Sequence, residues 1–331
     1  MPMAACILVA AVVAMTVGYA QAQAPLEADA KDYPNRAIRI IVPFPPGGPA
    51  DIVTRLVGQR MSEDWGQPVV VENRAGGNTA IGAQAAARSA PDGYTLFVPM
   101  DTTMVMNPLV TPNLPYDPLK DFAPITLLTK NMSLVVVRSD GPKTIKELIA
   151  KAKANPGKLN MGAGTITSRL GALLFAKRAG IDVQLVPFKG SAEIGQAVLA
   201  GTVDFALDST GTSLPLIQAG RYRALAKYSN RTSPSCPMCR ALPWRRTCPG
   251  STKAPPGSRW RRPPALLPPS FDKIHREVAS IYADAAMSAN LEKMGILPIA
   301  SSAPAEFDVF IRSETERWSK VFKDSGNIKL D

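Results

Sequence analysis

Residues 38–61 read IRIIVPFPPGGPADIVTRLVGQRM. The β-branched run Ile38–Val42 predicts a strand. Pro43, Pro45, Pro46, Gly47 and Gly48 break it, and Ile52, Leu56 and Val57 then set a helical period over Asp51–Trp65. A strand that ends in a glycine turn and opens a helix leaves backbone N–H groups without partners at the helix start. With the positive end of the helix dipole, those donors form a site ready for an anion. A tight turn with no ligand is the other reading, and this segment alone leaves both open.

The pattern repeats outward from this turn. Val69–Glu72 predicts a strand, Asn73–Asn78 a second glycine turn, Thr79–Ala90 an alanine-rich helix and Thr95–Val98 a strand. Residues 108–124 carry five prolines and predict an ordered loop. A second unit follows: strand Leu134–Val137, helix Ile145–Asn155 capped by Thr144, and strand Lys158–Met161. The turn Gly162–Ser168 then opens a helix over Arg169–Ala179. Strand Gln184–Pro187, a helix from Ser191 or Ala192 to Gly201, and strand Val203–Leu207 complete the unit. Strands alternating with helices predict an α/β fold with mostly parallel sheets, whose ligands sit at the carboxyl ends of the strands. Gly162–Ser168 is the second anion-ready turn, with two glycines and three hydroxyls near a helix start. A dinucleotide fingerprint is excluded, because Thr167 stands where G-x-G-x-x-G needs its third glycine.

Cys6–Gly18 is a run of small and apolar residues, short for a membrane span. Ala20-Gln21-Ala22 and Ala22-Gln23-Ala24 carry the small-x-small pattern of signal cleavage. Residues 1–24 are therefore expected to be a signal peptide cut near Ala22 or Ala24, the alternative being a retained anchor.

The stretches YPNRAIRIIVPFPPGGPADIVTR, VVVENRAGGN, APDGYTLF, LPYDPLKDFAPIT, NMGAGTITSRLGALLFAKRAGID and VPFKGSAEIGQAVLAGTVDFALD, in this order, resemble the substrate-binding proteins of tripartite tricarboxylate transporters, the Bug or TctC-like receptors. The resemblance implies a two-domain clamp of the periplasmic-binding-protein kind that closes on a small carboxylate and delivers it to membrane permease subunits. It implies a first domain of residues 33–130 plus 228–331, a second of 131–227, a periplasmic location, a monomer and no cofactor. Its first binding loop corresponds to Pro43–Asp51, with Phe44, Pro46, Gly47, Gly48, Ala50 and Asp51 toward the ligand. Its second corresponds to Gly162–Ser168, with Gly164, Thr165, Thr167 and Ser168. Asn78, Asp101, Thr102, Thr103, Lys189, Gly190 and Asp208 fall where the family lines its cleft. Three residues depart from the family pattern. Pro49 replaces a small hydroxyl residue, Arg169 stands where histidine is common, and Asp101 sits among positions that are usually small and neutral. A carboxylate at 101 either repels an acidic ligand or pairs with an amino group.

Residues 234–269 behave differently, with ten prolines, three cysteines, seven basic residues and no acid. Cys236, Cys239 and Cys248 lack a spaced fourth metal ligand beyond the single His275, so no metal site is expected. The arginines beside Trp244 and Trp260 imitate a nucleic-acid patch. A shifted reading frame explains the composition better. With suitable third bases, the codons of Cys236–Gly250 read one nucleotide earlier give LPDVPSLAVAADLPG, and Ser251–Pro268 give FDEGSTWIAMAAPAGTPP. Both resemble what the receptors carry there, so a frameshift over about 235–268 is expected. Of the formal charge of +11, seven charges lie in this segment, and the remainder gives no reason to expect nucleic acid.

Phe271–Leu291 and Ala305–Ser325 predict amphipathic helices that return to the first domain. His275 is expected on a solvated face. A single histidine and no G-x-S-x-G, H-E-x-x-H or Walker A motif argue against an enzyme. A sensor that touches a signalling partner remains the alternative role.

Overall fold

The computed structural model describes residues 32–130, 132–228, 269–299 and 304–324. The segment 235–268, with its shifted-frame reading, and the cleavage sites at Ala22 and Ala24 lie outside the described residues.

The first sheet has three parallel strands in the order β2-β1-β3: β1 (Ile38–Val42), β2 (Val69–Asn73) and β3 (Thr95–Phe97). Ile38 pairs with Val69 and Arg39 with Thr95. Helix α1 (Pro49–Trp65) crosses between β1 and β2. It starts two residues earlier than the apolar period predicts, because proline tolerates the first helical turn, where no N–H is needed. Gly66 ends it in the left-handed conformation, φ 65°. Between β2 and β3, the 3₁₀ turn Gly77–Thr79 leads into helix α2 (Ala80–Ala87). After β3, a single π-helical turn over Thr102–Met106 runs into the short helix α3 (Asn107–Val110). The predicted loop therefore begins as a helix, and residues 111–128 are irregular.

The second sheet has five strands in the order β7-β6-β8-β5-β9: β5 (Ser133–Arg138), β6 (Asn160–Ala163), β7 (Gln184–Pro187), β8 (Phe205–Ser209) and β9 (Tyr222–Tyr228). β7, β6 and β8 run parallel, and β5 is antiparallel to both β8 and β9. Helices α4 (Ile145–Ala154) and α5 (Ile166–Ala179) follow β5 and β6. Residues of these helices pack with Val135, Val137, Phe205 and Leu207 in one core. Helices α6 (Ser191–Ala200) and α7 (Thr210–Gln218) bury Ile194 and Val198 against Val136, Ala206 and Tyr222 on the opposite face. α7 and β9 escape the sequence reading, since the helix begins Thr-Gly-Thr-Ser and carries Pro215 inside it. A two-stranded antiparallel pair, β4 (Thr129–Lys130) with β10 (Leu297–Pro298), joins the linking segment to the C-terminal part.

The helix predicted over Phe271–Leu291 is two helices, α8 (Pro269–Ala283) and α9 (Ala285–Lys293). Asp284 leaves the helical conformation and caps α9 by accepting the Ala286 N–H at 2.8 Å. Ile274, Val278 and Ile281 are buried against Val53, Val57 and Met61 of α1. His275 is half-buried. Helix α10 (Pro304–Asp324) places Ile311 and Trp318 in a core with Met104–Met106 and with Ile166 and Leu170 of α5, so it packs on elements of both sheets' neighbourhoods. No helix among the described residues is long and apolar enough to cross a membrane.

Candidate functional site

The first loop is rigidified by its own chain. Pro43 and Phe44 are buried, and the Asn73 amide donates to the Phe44 carbonyl at 3.1 Å. Asp51 is 3% exposed and faces back into the loop. One of its oxygens accepts the Gly47 N–H at 2.9 Å and Arg55 Nε at 3.1 Å. The other accepts Asn73 Nδ2 at 2.9 Å and the Arg55 terminal nitrogen at 3.0 Å. Burial pushes the Asp51 carboxyl up, but the bonds from Arg55, Gly47 and Asn73 outweigh it and hold the group below its ordinary value. Gly47, at φ 83°, thus gives its N–H to Asp51. The donors that helix geometry leaves at this start are those of Gly48, Ala50 and Asp51, since Pro49 has none.

The second loop closes on itself in a capping box. Thr165 caps α5, which begins at Ile166 instead of the predicted Arg169. The Thr165 hydroxyl accepts the Ser168 N–H at 3.1 Å, and the Ser168 hydroxyl accepts the Thr165 N–H at 2.9 Å. The N–H groups of Ile166 and Thr167 remain for other partners. Gly164 has its backbone against Gly190 and Ile194, where an added Cβ would lie 3.4 and 3.3 Å away.

The first loop faces the start of α6. A Cβ on Gly190 would sit 3.4 Å from Pro45, and one on Gly47 would sit 3.9 Å from Ala192. Between the two sheets' ends lies a cavity of about 1140 Å³. Of the residues singled out from sequence, Ala50, Asp101, Gly164, Thr165, Thr167 and Ser168 line it. Asn78 is outside the cavity lining, in a left-handed turn with φ 50° beside Thr79 at φ 78°. It accepts a hydrogen bond from Arg169 of α5, so the side chain in the unusual position ties the two halves together. Thr102 and Thr103 are buried; the Thr103 hydroxyl donates to Thr79, and Asn107 binds the Asn78 carbonyl at 2.7 Å. Those bonds hold the strained turn and point away from the cavity.

Lys189 is exposed, and its N–H donates to Glu193 at 3.1 Å. Asp208 lies on the α6–α7 side of the second sheet, outside the cavity lining. It accepts the hydroxyls of Ser213 at 2.8 Å and Thr212 at 3.0 Å. Burial pushes its carboxyl above the ordinary range, and hydrogen bonds from Ser213 and Ser191 oppose the shift. Phe44, Pro46, Gly47, Gly48 and Asp51 shape the first loop behind the cavity wall. The sequence reading missed the contribution of α10, whose Glu314, Arg317 and Trp318 line the cavity, and that of Ser191 and Ser209. Their helical spacing signals core packing and gives no hint that the middle of α10 reaches the cleft.

Two α/β units that present helix starts across a shared cleft make a solute-binding protein of the periplasmic-binding-protein class. The model of the tripartite tricarboxylate transporter family receptor matches residues 53–327, and the chain belongs to that family. It is 31% identical over 324 residues to Protein BugT of Bordetella pertussis, covering 96% of this chain and 97% of the relative. Among solved structures it is similar to a periplasmic transporter at 32% identity and a TM-score of 0.76, covering 90% of this chain and 100% of that one. It also resembles R. palustris Rpa4515 with adipate at 27% identity and a TM-score of 0.77, covering 89% and 98%. The family is one of receptors, not of enzymes, and the chain is a solute-binding receptor.

Proposed function

We propose that this receptor captures a small carboxylate between the starts of α1 and α5, in the periplasm, and hands it to the membrane subunits of a tripartite tricarboxylate-type transporter. The observation that carries the reading is the confrontation of the two helix starts across one cavity, with unspent N–H groups at Gly48, Ala50 and Asp51 on one side and at Ile166 and Thr167 on the other. The adipate in the similar R. palustris protein supports the ligand class. We place residues 33–130 and 228–331 in one domain and 131–227 in the other, so that the two starts belong to opposite jaws. Gly164 lets the chain approach the ligand at the cavity wall, while Phe44, Pro46 and Gly48 shape the loop behind it. Each helix start stabilises an anion by about 0.3–1 kcal/mol, and up to about 2 when partly buried. Hydrogen bonds to a charged group contribute about 1.5–3 kcal/mol each. Four such bonds, less the cost of ordering, reach the roughly −8 kcal/mol of a micromolar site.

Thermal-shift measurements on the full chain with adipate, malate and aromatic carboxylates test the reading. A ligand that binds only the folded state raises Tm in proportion to the logarithm of its concentration. No response across the panel would count against carboxylate capture.

A further inference from the structure

We propose that Arg317 of α10 is a specificity-determining residue of this cleft: held on the wall by Glu314 and Trp318, it offsets the charge of Asp101 so that an anionic ligand is accepted. The proposal rests on the receptor reading above and names the residue that lets the site tolerate a carboxylate of its own. Asp101, which departs from the family pattern, begins the π-helical turn after β3 and lines the cavity. Arg317 and Glu314 line the same cavity from α10. Trp318, the next residue, shares a core with Met104, Val105 and Met106 of the π-helical turn. This part of α10 is thereby brought against the segment that Asp101 opens.

The guanidinium is not spent on Glu314 alone. A terminal nitrogen bonds Glu314, and the guanidinium carbon lies 4.9 Å from the centre of the Trp318 ring. The Arg317 Nε is buried and has no hydrogen-bond partner. Asp101 has the complementary need. One of its oxygens accepts the Thr102 N–H at 2.9 Å. Burial pushes its carboxyl up, while Thr167, Thr102 and the charge of Arg317 act in the opposite direction. Arg317 acts through space, since the two make no direct ion pair among the described residues. A buried carboxylate left uncompensated beside the start of α5 would repel any anion drawn to the N–H groups of Ile166 and Thr167. Of the other charged residues in the lining, Asp121 and Lys227 have opposite signs, so Asp101, Glu314 and Arg317 leave one net negative charge. Arg317 keeps the wall from carrying two.

Isothermal titration of the full chain with adipate, malate and benzoate, in wild type and in a double-mutant cycle, tests the assignment. At an effective dielectric of about 20, a unit charge about 10 Å away changes the affinity of an anion by roughly tenfold. Arg317→Gln is therefore expected to weaken the carboxylate that the wild type binds by about tenfold, and Asp101→Asn to tighten it by about tenfold. The double variant has the net charge of the wild type and is expected to bind within about threefold of it. A double variant as weak as Arg317→Gln would show that Arg317 only holds α10 in place, and it overturns the proposal while carboxylate capture stands. An Arg317→Gln chain that binds as tightly as wild type overturns it as well. A wild type that binds none of the three overturns the receptor reading and the proposal together. If Arg317→Gln fails to fold by circular dichroism, Glu314→Gln removes one negative charge from the same group and keeps the guanidinium. It should bind about tenfold more tightly, and an affinity at or below that of wild type overturns the role given to these charges.

Discussion

Replacing Asp51 with alanine separates the two uses that a loop of this kind makes of its donors. The side chain is 4% exposed and accepts hydrogen bonds from Gly47, Asn73 and Arg55. Alanine leaves the Gly47 N–H and the Asn73 amide facing a hole. A donor stranded in this way costs about 1–3 kcal/mol, so the two together cost about 2–6 kcal/mol. Arg55 is half exposed and adds little, because water takes over its charge. The Asp51→Asn variant, which keeps one acceptor oxygen, should lose about half as much. The loss depends on pH with a defined sign. The native Asp51 pKa lies below its ordinary value, so its stabilisation is complete above the unfolded pKa near 3.9 and fades as pH falls through the lower native value. Urea titrations of wild type and Asp51→Ala at pH 7 and at successively more acidic values measure the difference. A variant within about 0.5 kcal/mol of wild type at pH 7, or a difference that does not shrink in acid, would refute the structural role of this carboxylate.

Gly82→Ala should destabilise the first sheet, because the new Cβ would lie 2.7 Å from Pro43 Cβ and 2.9 Å from the Arg74 carbonyl. Overpacking costs about 1–3 kcal/mol, of which helix propensity returns up to about 1, and a lowered Tm in calorimetry checks it. Asp208→Asn should gain stability relative to wild type as pH rises. The native pKa is raised by burial, so ionisation penalises the wild type above it and not below the unfolded value. A wild-type minus variant Tm difference that stays constant from pH 4 to 8 would contradict this. Gly190→Val should leave folding within about 0.5 kcal/mol, since φ is −178° and strains no side chain. Its methyl groups would meet Pro45, 3.4 Å from the Cβ position, and carboxylate affinity should fall by about tenfold, the loss of one hydrogen bond to a charged group. A tryptic mass spectrum of the protein from its native host should show peptides of the shifted frame across 235–268, and peptides of the written sequence there would refute a misread gene.

Most of the α/β order was legible because the strand signals are local. Ile38–Val42 and Gln184–Pro187 are found within the predicted bounds, since β-branched runs between turn residues leave few alternatives. The two helix starts were legible for the same reason, glycine and hydroxyl residues at the end of an apolar run. The finer division of labour was not. Asp51 reads as a residue toward a ligand until its four hydrogen bonds are seen: the two from Arg55 are an i,i+4 pair, but those from the Gly47 backbone and from Asn73 on β2 are ones a linear pattern does not place. Asp208 lines the sequence's expected cleft but faces α6 and α7, because position parity along β8 puts it with Ala206 and not with Leu207. The break at Asp284 was hidden by apolar residues that keep their period across it.

The two helix starts differ in how they spend their donors. At α1 the chain removes one covalently, with Pro49 at the first position, while the Asp51 carboxylate takes the N–H of Gly47 just before the cap. At α5 it removes them reciprocally, with Thr165 and Ser168 each satisfying the other's N–H. The α1 start therefore leaves the N–H groups of Gly48, Ala50 and Asp51 for a ligand, and the α5 start those of Ile166 and Thr167. A carboxylate has about four lone-pair sites, so neither start completes its shell alone. On the proposed reading, affinity comes from both starts acting on one ligand. The contact of Pro45 with Gly190 and the bond from Arg169 to Asn78 hold the two sides together. On that reading, rigid loops with few free donors make the grip depend on both starts meeting the same ligand.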